Sequence, residues 1–284
     1  MQIKKALITA AGADQRKLAM QTLVDRNGDR KTVLEILIEE TRQAGIEEIG
    51  IIIHPGDLDV YSEIVADDQQ IHFIQQDKQL GYGYAILCGA SFIGNDYFLH
   101  LVGDHLYVNR SNISCAKHLT DIALQNKCSV SAVTPTRENQ IPNYGTVGAK
   151  RVPSTSELYI IDKVIEKPTP TIAEQKLLVP GLRAGHYLCF FGMHVLSPAI
   201  MSILEKNLKL AIGKKIGLSN ALSELAKKEQ YLALEINDWR FDMGTRYGLL
   251  KAQLALALSG NDRDQVMSEL LEFFAAKNIN SVWK

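Results

Sequence analysis

The sequence predicts an α/β fold: a mainly parallel sheet with helices on both faces and a helical tail at the C-terminus. Three observations carry this. Short β-branched runs alternate with helical patterns through the first half of the chain. Those runs are almost continuously apolar, as strands covered on both faces must be. The last forty residues lack strand patterning and read as helix.

Lys5–Ala10 (KALITA) has the composition of a buried strand, and Thr32–Ala44 that of a helix. In that helix Val33, Leu34, Leu37 and Ile38 form one apolar stripe, and Gly45 is a natural stop. Glu48–Ile53 is a second strand ended by His54-Pro55-Gly56, followed by a short helix over Asp57–Val65 and a strand over Ile71–Gln75. Tyr84–Ala90 is helical, Tyr97–Val102 a fourth strand, Ser114–Asn126 a helix and Ser129–Thr134 a fifth strand. Strands joined by helical crossovers imply parallel pairing. After Pro135 the rhythm changes. Strands are expected at Tyr144–Ala149, Leu158–Glu166, Gly185–Phe191 and Tyr231–Ile236, with helices at Ser197–Glu205 and Leu218–Lys228. From Thr245 the chain is helical to Lys277, interrupted near Gly260-Asn261.

Composition excludes several function classes. Thirty-one Lys and Arg against 32 Asp and Glu leave a formal charge of −1, so no general attraction to nucleic acid or anionic lipid follows. No apolar run reaches the roughly 18 residues a membrane-spanning helix needs. Lys4 and Lys5 precede an apolar stretch, but Asp14 and Arg16 break it too early for a signal peptide, and a cytoplasmic location is expected. Cys88, Cys115, Cys128 and Cys189 contain no CxxC pair and sit in apolar surroundings, as reduced core thiols do.

In an open parallel sheet, ligands bind beyond the carboxyl ends of the strands. That rule selects the loops Ala11–Arg30, Gln75–Gly83 and Gly103–Val108. The first is unusually long for a strand-to-helix connection, and carries Arg16, Lys17, Arg26, Arg30 and Lys31, cations suited to phosphate oxygens. It is neither a Walker loop nor a dinucleotide fingerprint, because the further glycines are missing. Gly81-Tyr82-Gly83 permits close backbone approach to a flat ligand. Asp104 follows an apolar strand, where a carboxylate is poised to hold Mg²⁺ with phosphate oxygens. Asp242 is a second acidic candidate, with a helix cap as its plainer reading, and His100 lies within strand alternation as a core residue.

The order of these motifs resembles the bacterial UTP–glucose-1-phosphate uridylyltransferases, within the wider sugar-phosphate nucleotidyltransferases. The resemblance runs from about Ile3 to Ala255. It rests on LITAAG (Leu7–Gly12) with Arg16, Thr22-Leu23-Val24-Asp25, AGIEEIGIII (Ala44–Ile53), and Gln76 followed by GYGYAILC (Gly81–Cys88). It continues through VGD (Val102–Asp104), Tyr144-Gly145, Glu166-Lys167-Pro168, GMHVLSP (Gly192–Pro198) and DMG (Asp242–Gly244). It implies a Rossmann-like three-layer αβα nucleotidyltransferase fold, of glycosyltransferase-A-like form, over residues 1–259, with 260–284 as a C-terminal helical extension. It implies joining of a nucleoside triphosphate, UTP first, to a sugar-1-phosphate with release of pyrophosphate.

The resemblance also implies residue roles. Ala11 and Gly12 contact the nucleotide and Arg16 its triphosphate, while Gln76 and Gly81 read the uracil edge. Asp104 and Asp242 ligate Mg²⁺. Gly145 approaches the sugar, Glu166 holds its hydroxyls and Lys167 its phosphate, so that Arg16, Asp104 and Lys167 form the catalytic set. The chain departs from the family in two places. Leu18-Ala19-Met20-Gln21 has no lysine where the family carries one for phosphate, and Asp14 stands at a family glycine. The block Gly213–Asn220 has Lys214, Lys215 and Asn220 where the family has carboxylates. Lys17 or Lys31 is the expected source of the missing charge. The alternative reading is a catalytically silent relative that binds a nucleotide or nucleotide-sugar; a glycosyltransferase would need a DxD-type site, and Gly103-Asp104-His105 offers one Asp. Homo-oligomerisation is left open.

Overall fold

A computed structural model describes residues 1–13, 15–65, 68–110 and 113–276, so Asp14 and Lys277 lie outside the described residues. The chain starts with β1 (Ile3–Thr9), a short α1 (Gln15–Leu18) and a hairpin of β2 (Thr22–Val24) and β3 (Arg30–Thr32). There follow α2 (Val33–Gln43), β4 (Glu48–Ile53), α3 (Leu58–Val65), β5 (Ile71–Gln75), α4 (Tyr82–Cys88) and α5 (Ala90–Ile93). Next come β6 (Tyr97–Val102), β7 (His105–Val108), α6 (Cys115–Asn126) and β8 (Ser129–Arg137). A hairpin of β9 (Gly145–Arg151) and β10 (Leu158–Glu166) leads through α7 (Pro170–Lys176) to the long β11 (His186–Leu196). Then α8 (Ala199–Leu210), α9 (Leu218–Lys228), β12 (Tyr231–Glu235) and β13 (Trp239–Asp242) precede α10 (Gly248–Leu258) and α11 (Arg263–Ala276).

Nine strands form one sheet in the order β5-β4-β1-β6-β11-β8-β12-β10-β9, and β10 and β11 run against the others. Alternation along each strand sends side chains to two apolar clusters. From β1, Ala6 and Ile8 join one cluster with α2 and α6, while Leu7 joins the other with α4, α8 and α9. The result is a sheet between two helical layers. α10 packs on the first cluster through Ala252, Ala255 and Leu256, whereas α11 has no buried residue.

β11 is the pivot of this sheet. Its C-terminal half pairs with β6 (Met193↔Leu101 through Leu196↔Phe98), while Leu188 and Cys189 pair on that same flank with β9. The two halves are separated by a register shift between Phe190 and His194. Gly192 lies within it at φ +92°, a conformation that favours glycine.

Local sequence signals explain the helix starts. Thr32 ends β3 and caps α2: its hydroxyl accepts from the Glu35 N–H at 3.2 Å while the Glu35 carboxylate accepts from the Thr32 N–H at 2.6 Å. Ser114 caps α6 in the same manner through the Lys117 N–H.

Several expectations need correction. The β2–β3 hairpin and the β7–β13 ribbon were not anticipated, because strands of three or four residues are too short to show a period of two. Part of the 11–30 segment is therefore structured. β11 runs to Leu196 rather than stopping at Phe191, since β6 supplies a partner for its second half. α7 was also missed. All four cysteines are free, and all but Cys88 are buried. Among the described residues, no helix is long and apolar enough to cross a membrane.

Candidate active site

Two cavities open at the carboxyl ends of the parallel strands, and they share Tyr82 and Asp104. The first, about 330 Å³, is walled by Ala11 and Gly12 after β1, Gln76 after β5, Gly81 at the start of α4, Asp104 after β6, and Lys215. The second, about 400 Å³, takes Gly145 from β9, Glu166 and Lys167 from the end of β10, Ser219 from α9 and Arg240 from β13. Residues scattered from 11 to 240 are thus gathered along one sheet edge.

The first cavity is stiff. Gly103 crosses the end of β1 so closely that a Cβ on it would lie 2.5 Å from the Thr9 carbonyl oxygen. The buried Gln76 donates from Nε2 to the Lys78 carbonyl at 2.9 Å, which fixes its amide and leaves Oε1 as an acceptor. Gly81 has φ +98°, and a Cβ there would meet the Ile216 carbonyl oxygen at 2.4 Å. The close approach expected of a ligand at Gly81 is made instead by the chain's own 213–217 loop. That loop is pinned by Ile216 N–H to Leu80 O (2.8 Å) and Gly83 N–H to Ile216 O (3.0 Å).

At the junction, Asp104 Oδ1 accepts from His105 Nδ1 at 2.8 Å. Across the β7–β13 ribbon Asp242 stands opposite His105, and the Met243 N–H donates to the Asp104 carbonyl at 3.0 Å. The two predicted metal-ligating aspartates are therefore backbone neighbours despite their separation in sequence. Asp242 reaches this place on the ribbon rather than on the central sheet, and its Oδ1 also caps the following turn by accepting from the Gly244 N–H at 2.9 Å. Among the described residues no three His, Cys, Asp or Glu side chains form a metal-binding group. Asp242 lines neither cavity, so Asp104 is the carboxylate the cavity walls present to a cation; Mg²⁺ commonly takes only one or two protein ligands and completes its shell with phosphate oxygens.

Below the junction runs a buried polar column. The Tyr82 hydroxyl donates to His100 Nε2, whose Nδ1 donates to the Leu7 carbonyl at 2.8 Å. His100 stacks on His194 at 6.0 Å between ring centroids, and His194 meets the Ser131 hydroxyl. Burial pushes the His100 pKa down to about 4, and that of His194 well below its usual value, so both rings are neutral near pH 7. His100 is a core residue, as its strand position suggested.

In the second cavity the Ser219 hydroxyl donates to Glu166 Oε2, holding that carboxylate beside Gly145. Lys167 occupies a left-handed conformation (φ +46°), with its N–H on the Tyr144 carbonyl at 3.1 Å. Arg240 lies over the Tyr144 ring at 4.4 Å and donates to the Phe190 carbonyl, adding a second cation to the same cavity.

Arg16, predicted to bind the triphosphate, lines neither cavity. Its guanidinium is 2.9 Å from the carboxylate of Asp57, which is buried and needs a cation. Lys31 is engaged too, by Asp25 at 2.8 Å and Glu39 at 2.6 Å, and the hydrogen bond to Asp25 leads in raising its pKa. Lys17 lines neither cavity. Ser219, Arg240 and Lys215 were not proposed as site residues. Arg240 was accessible to sequence reasoning, because residues two apart on a strand share a face and Arg240 precedes Asp242 by two.

The family model described as Nucleotidyl transferase matches residues 18–258. The chain is 28% identical to the UTP–glucose-1-phosphate uridylyltransferase YngB of Bacillus subtilis strain 168, over 95% of this chain and 94% of that one. It is 27% identical to the UTP–glucose-1-phosphate uridylyltransferase of Mycoplasma genitalium, covering 95% and 96%. Among solved structures it resembles a UDP-glucose pyrophosphorylase from Acinetobacter baumannii with a TM-score of 0.77 at 24% identity, over 96% of this chain and all of that one. A UTP-bound enzyme of that organism gives 0.74 at 23% identity, covering 95% and 99%. The structural likeness establishes the fold.

Proposed function

Because the chain belongs to the nucleotidyl transferase family, we propose that it is a Mg²⁺-dependent uridylyltransferase joining UTP and glucose-1-phosphate. The carrying observation is the pair of cavities meeting at Asp104, one suited to a nucleotide and the other to a sugar phosphate. The names of the relatives motivate the two substrates. A phosphate oxygen of the sugar-1-phosphate attacks the α-phosphorus of UTP; the new P–O bond forms as the bond to the β-phosphate bridging oxygen breaks, and pyrophosphate leaves. Such a transfer asks the protein for alignment and charge neutralisation.

Each residue then has a physical task. Gln76 Oε1 accepts from the uracil imide N–H, and the backbone at Ala11 and Gly12 lies against the nucleotide. Glu166, steadied by Ser219, accepts hydrogen bonds from sugar hydroxyls. Lys167 and Arg240 reduce the repulsion between the sugar phosphate and the nucleotide. Asp104 and Asp242 would hold Mg²⁺, which when bound neutralises phosphate charge. Arg16 supports the loop through Asp57 rather than touching phosphate.

The test is pyrophosphate release on mixing the protein with Mg²⁺, UTP and glucose-1-phosphate, with ATP and GTP as comparison nucleotides. Turnover confined to UTP is expected. Tight binding of UTP and UDP-glucose with no pyrophosphate release under any sugar-1-phosphate identifies a silent binding relative instead.

A further inference from the structure

We propose that Lys215 supplies the cation for the phosphate chain of the nucleotide. The inference rests on the nucleotide reading of the first cavity. Among the described residues lining that cavity, Lys215 is the one cation, and the wall otherwise contributes the anionic Asp104. A polyanion entering there needs compensating charge.

Three cations of the first loop are committed elsewhere, and Lys17 and Arg30 line neither cavity. Arg16 is paired with Asp57, Lys31 with Asp25 and Glu39, and Arg26 donates to the Asn109 carbonyl at 2.6 Å. By contrast no carboxylate among the described residues forms an ion pair with Lys215. Its backbone is also placed firmly. Ile216 is 6% exposed and hydrogen-bonded on both sides to the Leu80–Gly83 turn, and the Lys215 Cβ lies 3.1 Å from where a Cβ on Gly81 would be. The backbone needs no further ordering, so the entropy that opposes the contact is that of the four-carbon stem alone.

The experiment compares Lys215→Met, Lys215→Arg and Gln76→Ala with the unaltered full chain. UTP binding is followed by calorimetry and uridine binding by NMR titration. Lys215→Met should weaken UTP roughly 10- to 100-fold, the usual loss for a charge-assisted contact, and change uridine less than about twofold. Lys215→Arg should recover most of the UTP affinity, and Lys215→Met should flatten its dependence on ionic strength. Unchanged UTP affinity in Lys215→Met, with UTP weakened in Gln76→Ala, overturns the role of Lys215 but keeps the nucleotide pocket. Equal losses for uridine and UTP also overturn it, since the lysine would then serve the base. Unchanged UTP affinity in both variants overturns the pocket and the proposal together.

Discussion

Replacing Gly81 by Ala tests how the first cavity is built. At φ +98° and ψ 173° the residue lies where side chains are almost never tolerated, a strain of about 1–3 kcal/mol. The new Cβ would also stand 2.4 Å from the Ile216 carbonyl oxygen, a backbone atom that cannot rotate away. Relief requires moving the 213–217 loop, at the expense of the Ile216–Leu80 and Gly83–Ile216 hydrogen bonds, about 1 kcal/mol each. The expected loss is therefore roughly 3–5 kcal/mol, or a melting temperature lower by about 6–20 °C. Thermal unfolding should be measured beside two controls. Gly45→Ala carries a positive φ of +83° with nothing within 4 Å, so it isolates strain. Gly217→Ala, at φ −96° with nothing within 4 Å, has neither strain nor clash. The order of stability should be Gly217→Ala, then Gly45→Ala, then Gly81→Ala, and the last alone should also weaken UTP. A Gly81→Ala protein that melts no lower than Gly45→Ala refutes the loop contact as the reason for glycine.

Lys167→Ala should lower kcat/KM for the sugar phosphate roughly 10- to 100-fold while UTP binding stays within about twofold, as the loss of a charge-assisted contact implies; steady-state kinetics with each substrate varied in turn checks this, and an unchanged kcat/KM for the sugar phosphate overturns it. Ser219→Ala frees the Glu166 carboxylate and should raise KM for the sugar phosphate by roughly tenfold with little change for UTP; an equal rise for both substrates would show a general collapse of the site instead. Burial pushes the Glu40 pKa up to about 7 from 4.5, opposed by the Ala116 N–H at 2.8 Å. A folded value above the unfolded one gives stability that is complete below pH 4.5 and lost as pH rises through 7, about 3 kcal/mol as an upper bound. Glu40→Gln should therefore gain in urea midpoint relative to the unaltered chain between pH 5 and 8; a difference independent of pH rejects the buried carboxyl as its source.

Long, strongly patterned elements were legible before the structure. Glu48–Ile53, Ile71–Gln75, Tyr97–Val102, Leu158–Glu166 and Leu218–Lys228 stand where their apolar periods put them. The β2–β3 hairpin and the β7–β13 ribbon did not declare themselves, because strands of three or four residues show no period, and β7 also finds its partner far along the chain. For the site, the rule of strand ends brought out Gly12, Gln76, Gly81 and Asp104, which do line one cavity. Arg16 was expected at phosphate from its residue type, whereas the structure pairs its guanidinium with a buried carboxylate forty-one positions away. Lys215 and Ser219 were hidden in a block whose charge had been read only as departure. A side chain's charge is visible in a sequence, but the surface it faces is not.

The fork in β11 has a consequence for engineering. One flank of that strand is divided between β6, which ends at the first cavity, and β9, which opens the second. The β9–β10 hairpin contributes Gly145, Glu166 and Lys167 as a contiguous cassette. Grafting that cassette from a relative with a different acceptor should therefore retarget the acceptor while the base preference stays with the recipient. The joints for such a chimaera are the pairings of β9 with β11, Leu188↔Val147 and Cys189↔Thr146, and of β10 with β12, Leu158↔Leu234 through Ile160↔Leu232, whose register the donor segment must keep.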